Sequence, residues 1–137
     1  MTDLGAQDSA TGDGGAVLVV DDEDMVRSAL VDLLAASGYT VLEADGGESG
    51  LRVCHEHSEE IGIIITDVSM PEISGPEFVS RARQVCPDAE VLYMSGHADE
   101  TARKYGLDED DVRYLKKPFD PKRLLTTIRA MLQARGK

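Results

Sequence analysis

A chain of 137 residues, 42% hydrophobic and 29% charged, is sized and composed for one globular domain whose core needs no covalent staples. No stretch approaches the ~18 continuous apolar residues of a membrane span, and no basic-then-apolar leader points to export. The net charge of −12 argues against nucleic acid as a general partner. Two cysteines, Cys54 and Cys86, fit neither a zinc spacing nor a disulfide framework, so a reducing cytoplasm is the expected setting.

Residues 1–15 are rich in Gly, Ser, Thr and Asp and are expected to be a flexible leader, which leaves 16–137 as the domain. Val17–Val20 reads as a first strand. Val26, Ala29, Leu30, Leu33 and Leu34 then share one helical face, with Gly38 as the stop. A second strand is expected at Tyr39–Leu42 and a second helix around Gly50, Leu51 and Cys54. Ile61–Ile65 is apolar throughout except for Gly62, as a central strand covered on both sides should be. Phe78, Val79, Ala82 and Val85 mark a third helix between Pro76 and Pro87, followed by a strand at Val91–Met94. A short polar helix is expected at 99–105, ended by Gly106, then a strand at Val112–Leu115. Leu124, Leu125, Ile128, Met131 and Leu132 define the last helix, with Pro121 in its first turn. Five strand–helix units imply a parallel sheet with helices on both faces, an α/β doubly wound (βα)5 fold.

The polar residues that interrupt this pattern fall at strand ends. Asp21 and Asp22 follow the first strand, Asp67 the third, Ser95 the fourth and Lys117 the fifth. In a doubly wound sheet these ends share one edge, where ligands bind. Three carboxylates meeting there repel one another and call for a cation, and an all-oxygen set suits Mg²⁺. Lys117 and Ser95 would neutralise and orient a phosphoryl group carried on a carboxylate. Asp67, standing apart from the acidic pair, is the better nucleophile, and Asp21 and Asp22 then serve the metal. Helix N-capping accounts for Glu23 and Asp24 but less well for two acids abutting a buried strand end. Strand alternation separates Lys117 from its surface neighbour Lys116. Ser95, taken alone, is an ordinary turn residue.

Other groups carry less. Cys54, His55 and His57 diverge on a helix and cannot share a metal. His97 is expected to be an exposed loop histidine, and Asp108–Asp111 a solvated acidic loop without calcium-loop spacing. Residues 113–137 hold eight bases against one acid, read as a solvated helix face.

The segments VLVVDDE at 17–23, IIITDVSMPEISGPEF at 63–78, YMSGH at 93–97 and YLKKPF at 114–119 resemble the receiver domain of two-component response regulators, across about residues 16–135. The resemblance implies a flavodoxin-like strand order 2-1-3-4-5. It implies Asp67 as the phosphorylated aspartate, Asp21 and Asp22 as the acidic pair, and the Ser69 carbonyl as a further Mg²⁺ ligand. It also implies Ser95 as the switch hydroxyl, Tyr114 as the aromatic switch and Lys117 as the phosphoryl-binding lysine, held by a cis bond to Pro118. On this reading the chain is a phosphoprotein of a phosphorelay rather than an enzyme, acting only on its own acyl phosphate. Its partner is a sensor histidine kinase or histidine phosphotransfer protein. No direct DNA binding is expected of it, and its fourth helix, fifth strand and fifth helix are expected to form the responsive face, where phosphorylation-dependent dimerisation is one outcome. Asp22-Glu23-Asp24 after an apolar strand is also similar to the DxD nucleophile motif of Mg²⁺-dependent haloacid-dehalogenase-like phosphatases. Turnover of a phosphate ester would separate the two readings.

Overall fold

The computed structural model describes residues 15–95, 114–117 and 119–135. Within them the apolar tracts become strands β1 (Ala16–Val20), β2 (Val41–Ala44), β3 (Ile61–Asp67), β4 (Glu90–Ser95) and β5 (Tyr114–Lys116). Helices α1 (Asp24–Ala36), α2 (Gly47–Glu56) and α3 (Gly75–Ala82) follow the first three strands, and the C-terminal helix spans Pro121–Arg135. All five strands are parallel in the order β2-β1-β3-β4-β5, which puts β3 at the centre, buried along its whole length. Among the described residues no helix is long and apolar enough to cross a membrane.

The two faces of the sheet bury separate cores. Leu18, Val20 and Ile64 pack with Cys54 of α2 and with Phe78, Val79 and Ala82 of α3 on one face. Val17, Val19, Ile63, Ile65, Leu92 and Met94 pack with Leu30 and Leu34 of α1 and with Leu124, Ile128 and Leu132 of the C-terminal helix on the other. Each fully buried side chain of this size contributes about 1.5–3 kcal/mol of transfer free energy. Gly62 is an extra residue in β3: Ala16 pairs with Ile61 but Val17 with Ile63. The bulge turns Ile61 to the same face as Ile64 although they are three apart.

Local chemistry sets the boundaries and moves some of them from the sequence-based positions. Gly38, at φ 96, closes α1 with paired bonds from its own N–H to Ala35 O and from Tyr39 N–H to Leu34 O, each 3.1 Å. That cap absorbs Tyr39, so β2 begins at Val41 rather than Tyr39. β3 runs two residues past its apolar tract, because Thr66 and Asp67 continue the ladder to Tyr93 and Met94. α3 is capped by the Ser74 hydroxyl, which accepts from Glu77 N–H at 3.2 Å, and it stops at Ala82, three residues before Val85. Ala29, expected on the apolar face of α1, is exposed. The expected helix at 99–105, His97, Asp108–Asp111, Val112 and Pro118 lie outside the described residues.

Candidate functional site

The register of the sheet builds the site. Val20 pairs with Thr66 and Asp67 with Met94, so Asp21, one step beyond Val20, falls beside Asp67. Both are buried while Asp22 is exposed, and carboxylate oxygens of Asp21, Asp22 and Asp67 lie within 4.8 Å of one another. Among the described residues this is the one group of three or more acidic, His or Cys side chains suited to a metal ion. His55 is exposed and His57 turns to Glu60 at 2.9 Å, while Cys54 is buried in the core, so the three assemble no centre.

Lys117 reaches this cluster with its side chain only 9% exposed. Its ammonium stands 2.9 Å from Asp21 Oδ2, 3.0 Å from Glu23 Oε1 and 3.2 Å from Asp67 Oδ2. Lys117 N–H donates to Ser95 O at 2.6 Å, which ties the exit of β5 to the end of β4. Lys116 is exposed, as alternation requires. One ammonium thus pairs with Asp21, Asp67 and Glu23 while Asp22 adds a fourth acid to the cluster, and the locality stays strongly negative.

The carboxylates are held by backbone donors as well. Asp21 Oδ1 accepts from Glu23 N–H at 2.8 Å and Asp67 Oδ1 from Ser69 N–H at 3.2 Å. Burial pushes Asp67 up to about 6, with Lys117 pulling the other way and the Asp21 charge adding to the rise. Burial also works against the Lys117 charge. The carboxylates of Asp21, Asp67 and Glu23 outweigh it and hold the ammonium above the usual lysine range. Ser95 is wholly buried at the end of β4, and Ser69 is exposed in the loop after β3. Tyr114 is buried against Val68 with Tyr93 beside it, so its ring is already turned inward.

Three contributors escape the sequence reading. Glu23 occupies the N-cap position of α1 but makes no side-chain cap bond, and goes to Lys117 instead. Its signal was being a third consecutive acid after a strand. Gly75 opens α3 hard against β3: its N–H donates to Val68 O at 2.8 Å, and a Cβ there would collide with the Asp67 carbonyl. Arg27, one turn into α1, bonds the Asp21 carbonyl, Asp24 and Glu43. No spacing rule on one helix reveals a contact that crosses to β2.

Residues 17–129 match the family model described as the response regulator receiver domain. Over 117 residues the chain is 38% identical to the sensor kinase CckA of Brucella abortus (strain 2308), covering 85% of this chain and 12% of that kinase. It is 31% identical over 118 residues to the response regulator receiver protein CpdR of the same organism, covering 86% of this chain and 97% of CpdR. The crystal structure of the receiver domain from the hybrid histidine kinase CckA superposes with a TM-score of 0.73 at 38% identity, covering 87% of this chain and 100% of that domain. The chain belongs to the response regulator receiver domain family, the receivers of two-component signalling systems.

Proposed function

We propose that Asp67 accepts a phosphoryl group from a phosphohistidine on a sensor histidine kinase or a histidine phosphotransfer protein, and that residues 16–137 are the unit that does so. The observation that carries this reading is Lys117, whose ammonium lies within ion-pair distance of Asp67 and Asp21 at once. An Asp67 oxygen attacks phosphorus, the O–P bond forms as the P–N bond breaks, and the electron pair returns to the imidazole, which takes up a proton. With its carboxyl at about 6, Asp67 is mostly ionised at neutral pH and ready as nucleophile. Lys117 is placed to pair with the phosphoryl oxygens as they arrive, and the Ser95 hydroxyl to donate to one of them.

The donor set fits a hard divalent cation: oxygen ligands only, two of them buried, in surplus negative charge. Asp21, Asp22, Asp67 and the Ser69 carbonyl would hold Mg²⁺, which when bound supplies charge neutralisation at the phosphoryl oxygens. The chain would act only on its own acyl phosphate. The phosphatase alternative loses its second acid, since Asp24 turns to Arg27 at 2.7 Å. We assign the response to Ser95 and Tyr114 and the face around β5 and the C-terminal helix, whose Lys122, Arg123 and Arg129 are exposed for a protein partner or a second copy. Radiolabelled phosphohistidine kinase or acetyl phosphate should label the protein with Mg²⁺ and not with excess EDTA, and peptide mapping should place the label on Asp67. Label on Asp22, or steady turnover of a phosphate ester, would overturn the reading.

A further inference from the structure

Arg27 lies outside the acidic cluster, yet each nitrogen of its guanidinium makes a hydrogen bond beside it. Nη1 donates to the backbone carbonyl of Asp21 at 2.8 Å, Nη2 to Asp24 Oδ1 at 2.7 Å and Nε to Glu43 Oε1 at 3.0 Å. One planar group therefore ties the end of β1 to the first turn of α1 and to β2. Its side chain is 15% exposed, whereas Asp24 and Glu43 are 84% and 52% exposed.

The geometry points to Arg27 as a positioning residue for the cation site: it fixes the peptide that joins Asp21 to Asp22 without using either carboxylate. This rests on the reading of Asp21 and Asp22 as cation ligands. β1 ends at Val20, and Asp21 keeps one backbone tie to the sheet, from its N–H to Ala44 O at 3.2 Å. The Asp21 carbonyl sets the plane of the next peptide, and hence the direction in which the Asp22 side chain leaves the chain. A guanidinium bonded to a carboxylate of the cluster would compete with a cation. Bonded to a carbonyl, with Asp24 and Glu43 satisfying its charge, it orients the acids and leaves them open. Groups that hold a metal's ligands in place typically govern affinity ten- to a hundredfold.

Sign separates this role from plain electrostatics. Removing a positive charge beside an acidic cluster should by itself tighten cation binding. Losing the clamp should weaken it. The test is Mn²⁺ binding to the whole chain followed by electron paramagnetic resonance, with wild type, Arg27→Gln and Arg27→Lys. Arg27→Gln is expected to bind Mn²⁺ about tenfold more weakly or worse. Arg27→Lys keeps the charge but not the three-way fork, and is expected to weaken binding as well. Acetyl phosphate labelling should show the same shift in half-saturating Mg²⁺, with most of the rate restored at saturation. Unchanged or tighter Mn²⁺ binding in Arg27→Gln, or full affinity in Arg27→Lys, would overturn the proposal. Should Arg27→Gln fail to fold, Arg27→Lys alone decides. Wild-type Mn²⁺ binding that ignores Asp21→Asn and Asp67→Asn would overturn the cation site itself. Loss of binding in those two variants alongside an unaffected Arg27→Gln would overturn only the role of Arg27.

Discussion

Lys117 stands closer to Asp21, at 2.9 Å, than to Asp67, at 3.2 Å. The lysine is thus anchored from β1 while it faces the carboxylate on β3. On the proposed function, a phosphoryl group arriving on Asp67 would meet an ammonium already fixed in place, with Glu23 at 3.0 Å as the outer tether. Lys117→Met should leave two buried carboxylates unpaired and cost about 2–4 kcal/mol in Mg²⁺-free buffer at pH 7. Urea unfolding with and without Mg²⁺ checks this: added Mg²⁺ should raise the midpoint of the variant more than that of wild type.

Asp67→Asn should abolish phosphorylation and make the folded protein more stable at neutral pH. With Asp67 held at about 6 against an ordinary 3.8, the folded chain binds this proton more tightly than the unfolded chain. The stability that proton confers is complete below about pH 4 and is lost as pH rises through about 6. Asn never incurs that loss, and Asp21 and Glu23 still pair with Lys117 in its absence. Allowing for solvent screening at this rim, the variant should gain about 1–2 kcal/mol at pH 7 without Mg²⁺ and nothing at pH 4. Melting curves across that range measure the gap.

Gly75→Ala should be disproportionately harmful for one methyl group. The added carbon meets the Asp67 carbonyl oxygen and the Val68 Cα, both backbone, so relief requires moving α3 or the end of β3. A loss of about 1–3 kcal/mol is expected. Slower acetyl phosphate labelling should accompany it, since Asp67 itself is displaced. Gly46→Ala, where a Cβ meets nothing within 4 Å, is the matched control.

Ser95→Ala should leave Mg²⁺ binding intact and weaken the phosphate-dependent change at Tyr114. Ser95 is wholly buried beside the site and Tyr114 packs on Val68, one residue beyond Asp67. Because the ring is inward in the described conformation, phosphorylation should narrow its motion rather than drive a one-way swing. Tyrosine-ring NMR of both proteins with and without acetyl phosphate tests this. A full response at Tyr114 in Ser95→Ala would sink the coupling.

The fold was legible because burial on both faces leaves an unbroken apolar signature, clearest in Ile63, Ile64 and Ile65. Asp21, Asp67 and Lys117 were legible for the opposite reason: each breaks such a run where a core residue would be expected. What escaped was set by backbone geometry or by reach across the fold. The cap at Gly38 displaced the start of β2, and ladder pairing carried β3 through Thr66 and Asp67 although neither is apolar. Glu23 had a sufficient local explanation in N-capping, which hid its bond to a lysine far along the chain.

The bulge at Gly62 lies at the end of β3 opposite Asp67. From Val17 onward the pairing of β1 with β3 is regular, so the acidic rim takes its alignment from the upper strand alone. The lower end works as an expansion joint: one spare residue is taken up where Gly15 and Ala16 meet Glu60, without disturbing the rows above. Length changes at Gly62 should therefore cost less than length changes between Ile63 and Asp67. A residue added beside Gly62 would widen the joint, whereas the same addition after Ile65 would rotate Asp67 out of line with Asp21 and leave Lys117 paired only with Asp21 and Glu23.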